Sequence, residues 1–283
     1  MSTHPLTWLD VFTAEPLSGN QLAVVHDADG VSDETMLAFA RETRLSETSF
    51  VQSPQAEGAD YRNRIWMVTR EAPFAGHPSL GVAVAVAVAR GEAEASYVQQ
   101  TPAGLQRCDV TLTGERSARA SMLQEPASFG PELDPERVFG ALGIPRAFAD
   151  PDLPPRNVAT GAQQILVPVV ADGLAALRPK LDECRALIEE FDALTIYVAA
   201  VDGEDARARS VYLDSGGLGE DPATGSAAGP LLAYLRVRRG AERLRVEQGI
   251  EMGRPSVLDC AVERDRVRVG GDVVVVARGT VSL

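Results

Sequence analysis

The chain has 283 residues, with 27 Lys+Arg against 40 Asp+Glu for a net charge of −13, 45% hydrophobic residues and 5% aromatics. That length holds two domains of about 100–200 residues, each with its own core, and the acid excess argues against nucleic acid, whose phosphates call for a basic face. The longest apolar run, Val82 to Ala89, is too short for a bilayer, which needs about 20 residues. The segment MSTHPLTWLD has no basic stretch leading into an apolar one, so the expectation is a cytoplasmic protein with no visible signal peptide and no membrane partner.

Leu6 to Thr13 and Gln21 to His26 read as strands, punctuated by the turn DADG at Asp27 to Gly30. Ser32 is a good N-cap for a helix through Met36, Leu37, Phe39 and Ala40, with Asp33 and Glu34 in its first turn. Strands are expected at Thr48 to Gln52 and Tyr61 to Val68. In Pro73 to Gly91, valines alternate with alanines, a period that suits a strand as well as a helix. Pro78 in a first turn, the helix preference of alanine and Gly91 as a C-cap favour a helix. With no polar face, such a helix is buried on every side, wrapped by sheet.

The second half repeats the order. A helix is expected at Pro135 to Leu142, with Asp134 as N-cap and Gly143 as stop, then a strand at Ile165 to Val170 and a helix at Leu181 to Phe191. Strands at Thr195 to Val201 and Ala208 to Leu213 lead to a second Gly-rich turn opening an apolar helix, Asp221 to Val237. Pro230 is placed near its fourth position, where no intrahelical amide bond is yet needed. Short strands follow near Leu244 to Gln248, Val257 to Glu263, Val267 to Val269 and Val273 to Ala277. The sum is an α/β fold of two halves, residues 1–118 and 119–283, joined near Gly114 to Ser128. The strand at 273–281 could return to the first half.

Several chemistries are disfavoured. Lys180, the only lysine, reads as the polar start of a surface helix. Cys108, Cys184 and Cys260 lie far apart with no C-x-x-C spacing. His4, His26 and His77 make no helical metal pair, so no metal is expected. The arginine-rich Arg236 to Arg245 reads as a solvated helix end.

Two features point to a site. Each apolar helix opens with small residues, Ala75-Gly76-His77-Pro78 and Thr224-Gly225-Ser226-Ala227. Amides at a helix N-terminus carry about half a positive charge and suit a carboxylate or a developing enolate. Glu47, His77 and Asp221 lie at or near these openings or in a neighbouring motif. Proton transfer at carbon needs a base together with electrostatic stabilisation of the carbanion, and these residue types supply both. Taken singly, Glu47 reads better as a polar residue at a strand start and Asp221 as a turn former ahead of Pro222, and His77 has an alternative as an interface residue, so only their combination points to a site.

DVFTAEPLSGNQLAVV (Asp10 to Val25), ARETRLSETSFV (Ala40 to Val51), EAPFAGHPSLG (Glu71 to Gly81), EDPATGSAAGPLLAYL (Glu220 to Leu235) and EQGIEMGRPS (Glu247 to Ser256) resemble the PhzF phenazine-biosynthesis family, in order along nearly the whole chain. The family's usual form differs at Gln21, at Ala72 and Ser79, and across SVYLDSGGLG. The resemblance implies a diaminopimelate epimerase-like fold: two pseudo-symmetric domains, each a barrel-like sheet around a central helix, with a cleft between them. It also implies a homodimer, no cofactor, and isomerisation of a small carboxylate such as trans-2,3-dihydro-3-hydroxyanthranilate. Glu47 matches the proton-shuttling acid/base, and His77 and Asp221 match residues lining the site. Gly76, Gly225 and Ser226 match the openings that hold the carboxylate side, Asn20 a loop facing the cleft, and Ser46 a substrate-binding position.

Enzymes of the same fold that racemise with two thiols place cysteines at the two helix openings, where this chain has none. An isomerase working through one carboxylate is therefore the first expectation. An epimerase or racemase of an amino or hydroxy acid and a non-catalytic ligand-binding protein are the alternatives.

Overall fold

The computed structural model describes residues 2–214 and 216–283, so Met1 of MSTHPLTWLD and Ser215 of SVYLDSGGLG lie outside it. The chain divides into two compact units, Met1–Leu123 with Gly270–Leu283, and Gln124–Val269. No helix among the described residues is long and apolar enough to cross a membrane.

The first unit runs β1 (Thr3–Val11), β2 (Asn20–Val25), α1 (Asp33–Thr43), β3 (Thr48–Gln52), β4 (Tyr61–Trp66), β5 (Glu71–Ala72), α2 (Gly76–Arg90), β6 (Glu94–Thr101), β7 (Gly104–Leu112) and β8 (Ser117–Leu123). The part of the terminal strand Arg266–Ser282 from Gly270 onward belongs to it. β1 pairs with β2, β2 in parallel with β3, β3 with β4, β4 in parallel with β6, β6 with β7, and β7 with β8. The terminal strand pairs with both β8 and β1, closing an eight-stranded barrel with no free edge.

Helix α2 fills the barrel. It touches every barrel strand from β1 to β8, and its residues from His77 to Ala87 are all buried. This buried stretch is mostly alanine and valine, with Leu80 its largest aliphatic side chain. At Gly81 a Cβ would lie 2.5 Å from Leu22 Cδ2 of β2, so a larger residue there would push that side chain aside. The helix reading of the Val/Ala alternation thus holds, with Gly91 as a left-handed C-cap. Outside the barrel, α1 lays Met36 and Ala40 against Val25, Phe50 and Trp66.

The chain passes from the first unit to the second at Leu123/Gln124, within the Gly114 to Ser128 stretch expected to join the halves, which also contains strand β8. Two expectations are corrected here. The two short strands at Val267 to Val269 and Val273 to Ala277 are one 17-residue strand. Gly270 within it is a point of close packing, since a Cβ there would meet the Ala120 carbonyl at 2.6 Å. Strands β6 and β7 occupy a stretch for which no element was expected.

The second unit runs β9 (Ser128–Glu132), α3 (Pro135–Leu142), β10 (Arg156–Ala159), β11 (Gln163–Val169), α4 (Leu181–Glu190), β12 (Thr195–Asp202), β13 (Asp205–Asp214), β14 (Gly217–Asp221), α5 (Gly225–Arg239), β15 (Arg243–Gln248) and β16 (Ser256–Glu263). The sheet order is β9-β10-β11-β12-β13-β15-β16, with β14 paired to β13 as well, and the β11/β12 and β13/β15 pairs are parallel. α5 touches β10 and β11 toward one margin and β15 and β16 toward the other, so the sheet curls around it. On the outer face, Ile165, Val167, Ile196 and Val198 meet Phe139 and Leu142 of α3 and Leu187 and Ile188 of α4. Each unit is therefore a curved sheet around one inner helix, with the remaining helices outside.

Pro230 is the sixth residue of α5 rather than near its fourth, because the helix begins at Gly225. It therefore removes the amide that would bond the Ser226 carbonyl four residues back. The basic end of α5 is paired, with Arg236 to Glu242, Arg238 to Glu132 and Arg239 to Asp150 at 3.5, 3.3 and 2.8 Å.

Candidate active site

In the first unit, α1 ends at Thr43 with Arg44 in the left-handed region (φ 55°), and its N–H bonds the Ala40 carbonyl. The Thr43 and Thr48 hydroxyls bond at 2.8 Å, spanning the short turn that carries Leu45, Ser46 and Glu47. This locks Glu47 immediately before β3. Its side chain is only 16% exposed, and Oε2 lies 3.7 Å from Nε2 of His77, which is also buried. That separation is ion-pair range, beyond a direct hydrogen bond. Burial pushes the Glu47 carboxyl above its ordinary value, opposed by a hydrogen bond from the Ser46 hydroxyl.

His77 is the second residue of α2 and Gly76 the first. The N-cap residue is Ala75, which has no side chain able to cap, and the first turn holds no acid. The Ala75 carbonyl is taken by the Ser79 amide and hydroxyl, at 3.3 and 2.7 Å. Asn20 is buried at the start of β2. Because Ala23 pairs with Thr48 in parallel strands, Asn20 at the start of β2 and Glu47 just before β3 lie at the same end of the barrel.

In the second unit, Asp221 ends β14, and its Oδ2 accepts from the Thr224 hydroxyl at 2.6 Å. Thr224 is the N-cap of α5, yet its side chain does not cap the helix. Its carbonyl accepts from Ala227 and Ala228 at 3.0 and 3.1 Å. Three buried glutamines hold this opening. Gln248 Nε2 donates to the Asp221 carbonyl and to Thr224 Oγ1. Gln124 Nε2 donates to the Gly225 carbonyl at 2.9 Å, while Gln164 Nε2 donates to the Ser226 hydroxyl at 3.3 Å. Each Oε1 in turn accepts from a hydroxyl, that of Tyr197, Thr160 or Thr195 respectively.

The sequence-picked residues thus gather into two groups. Glu47, Ser46, Gly76 and His77 meet at the opening of α2, with Asn20 at the same barrel end. Asp221, Gly225 and Ser226 meet at the opening of α5. The glutamines were not singled out from sequence. Gln248 lies inside the quoted EQGIEMGRPS motif, but its partners are 24 to 51 residues away, and an amide has no titration signature.

The three thiols lie elsewhere, buried in β7, α4 and β16. Burial pushes Cys108 up to about 12 and Cys184 to about 11, and raises Cys260 further. They are poor nucleophiles and poor bases. No cluster of metal-ligating side chains occurs among the described residues.

Comparison with known proteins fits this geometry. The family model described as phenazine biosynthesis-like protein, PhzC-PhzF, matches residues 9–279. An uncharacterized isomerase of Mesorhizobium japonicum is 36% identical, covering 99% of both chains. The trans-2,3-dihydro-3-hydroxyanthranilate isomerase of Pseudomonas aeruginosa is 34% identical over 94% of this chain and 93% of its own. The solved structure of a predicted epimerase from Pseudomonas aeruginosa superposes with a TM-score of 0.88 at 34% identity, covering 99% of each chain.

Proposed function

The chain belongs to the PhzC-PhzF family of phenazine biosynthesis-like proteins and is an isomerase, and from that premise we propose that it moves a proton between two carbons of a small unsaturated or cyclic carboxylate. Glu47 acts as the single acid/base, without a cofactor. The observation carrying this reading is the buried Glu47 carboxylate, raised by burial and 3.7 Å from His77 at the opening of α2. A carboxylate with a raised pKa is a stronger base once ionised, and a carbon acid conjugated to an alkene and a carboxylate is acidified enough for it to act.

In the proposed step, ionised Glu47 takes the proton from an allylic carbon. The C–H electron pair spreads into the conjugated dienolate, and the Glu47 carboxylic acid returns a proton at the far carbon. One double bond migrates, and no proton or electron is gained or lost. His77 serves the substrate's polar groups. The α2 opening at Gly76 and the α5 opening at Gly225 and Ser226 favour the developing negative charge through their helix dipoles. Asn20, Ser46 and Asp221 fix substrate orientation.

Trans-2,3-dihydro-3-hydroxyanthranilate, the compound named for the Pseudomonas aeruginosa relative, belongs to this substrate class and is the first to test. A homodimer is part of the proposal, checked by light scattering. Racemisation by a pair of thiols is disfavoured by where the cysteines lie.

The test is proton NMR in D₂O on a panel of small unsaturated carboxylates that includes this compound. Wild type should incorporate deuterium and shift the double bond, and Glu47→Gln should lose the rate by about 10²–10⁴-fold while staying folded. Full activity in the variant would overturn the mechanism.

A further inference from the structure

Thr224 stands where a threonine normally accepts a helix amide, and it does something else. N-cap hydroxyls satisfy the amide two or three residues on, whereas this one is turned back to Asp221. The cause is Gln248, whose amide is 1% exposed and makes four hydrogen bonds. Its orientation follows from backbone partners. The Thr224 N–H can only donate, and it meets Oε1 at 3.2 Å. The Asp221 carbonyl can only accept, and it meets Nε2 at 2.7 Å. A flipped amide would place donor on donor and acceptor on acceptor.

With that orientation fixed, every proton in the group has one place. The second Nε2 proton points at Thr224 Oγ1, 3.0 Å away. The hydroxyl must then spend its own proton elsewhere, and Asp221 Oδ2 is 2.6 Å away. The Tyr197 hydroxyl completes Oε1 at 2.9 Å, and burial holds that phenol in its protonated, donating form. Behind the turn, Gly249 (φ 77°) lets the chain close on it, because a Cβ there would meet the Pro222 carbonyl at 2.7 Å.

We propose that Gln248 is a positioning residue, acting through the Thr224 hydroxyl to aim the Asp221 carboxylate and to leave the opening of α5 uncapped for substrate. The inference rests on the reading of Asp221 as part of the active site. A carboxylate accepting a hydroxyl proton on one oxygen is held in one rotamer, so the other oxygen is presented in a fixed direction. Loss of that bond removes one restraint on the Asp221 carboxylate, and catalysis falls without loss of substrate affinity.

Two measurements test it on the full chain. In ¹⁵N spectra of wild type, both Gln248 side-chain amide protons should be protected from solvent exchange. Thr224→Val should release one of them, and rapid exchange of both in wild type would overturn the relay. In turnover of trans-2,3-dihydro-3-hydroxyanthranilate, Thr224→Val should lower kcat between about 10- and 100-fold with KM nearly unchanged. Thr224→Ser, which keeps the hydroxyl, should restore kcat at the same thermal stability. A merely structural threonine would instead lower Tm in both variants and leave kcat intact. Full activity in Asp221→Asn would overturn the active-site reading of Asp221 itself. An inactive Asp221→Asn beside a fully active Thr224→Val would overturn the relay alone.

Discussion

The outer helices and the inner helices begin differently. Ser32 caps α1 by accepting from the Thr35 amide at 3.2 Å, and Asp134 caps α3 by accepting from the Glu136 amide at 3.0 Å. α4 lacks a side-chain cap but carries Asp182 and Glu183 in its first turn. α2 and α5 have neither a cap nor an acid there. At α2 the cap position is alanine; at α5 a threonine is present and diverted. A side-chain cap contributes about 1 kcal/mol, so the two inner helices forgo a stabilisation that α1 and α3 keep. Their openings carry no acid of their own, and the carboxylates nearest them, Glu47 at α2 and Asp221 at α5, come from the preceding chain segments.

The comparison can be broken at several points. The largest effect is expected at the base: Glu47→Gln should remove deuterium exchange at the α2 opening, as above. Its pH behaviour sharpens the point. Because the folded-state carboxyl is raised, the folded protein holds that proton more tightly than the unfolded chain. The stability from this is full below the ordinary value of 4.5 and is lost as pH rises through the raised value. Urea titrations should therefore find Glu47→Gln at least as stable as wild type at neutral pH, with the two converging below about pH 4.5. The kcat/KM profile of wild type should show an acid limb with its midpoint above 4.5.

Smaller effects test the helix ends directly. Ala75→Asp would supply α2 with the cap it lacks, adding up to about 1 kcal/mol of stability. The same carboxylate would compete with substrate, and KM should rise about tenfold, or 1.4 kcal/mol. An unchanged KM would mean that the α2 opening binds no anion. The opposite manipulation, Ser32→Ala or Asp134→Ala, should cost about 1 kcal/mol each in denaturant titrations and leave turnover unchanged.

How much was legible depended on whether the signal was local. Caps are local, so Ser32 located the start of α1, and Asp134 and Gly143 located α3 to the residue. The GHP and EDPATGS motifs located the two openings, and SET located Glu47. Strands β6 to β8 were hidden because their buried faces carry few large aliphatic side chains. β6 turns Tyr97, Gln99 and Thr101 inward, and β8 turns Ala118, Ala120 and Met122. Residues facing a helix of alanine and valine across a narrow bore are selected for size and shape, and the period-2 hydrophobic pattern fades. Gly270 misled for a related reason: it reads as a strand break, yet it answers a carbonyl from a neighbouring strand far away in sequence. The glutamine set around α5 was invisible on similar grounds, since each amide joins residues that only folding brings together.

The closed ring of the first unit has a consequence for synthesis. Its last stave, the strand paired with β1 from Thr3 against Ser282 to Val11 against Val273, is translated only after all of Gln124–Val269. On the ribosome β8 and β1 wait with an open seam between them, and the largely apolar α2 has an incomplete wall throughout. An exposed seam of this kind is where a nascent chain sticks to others. The unit that holds β1 is thus completed only after the whole of the other unit has been made.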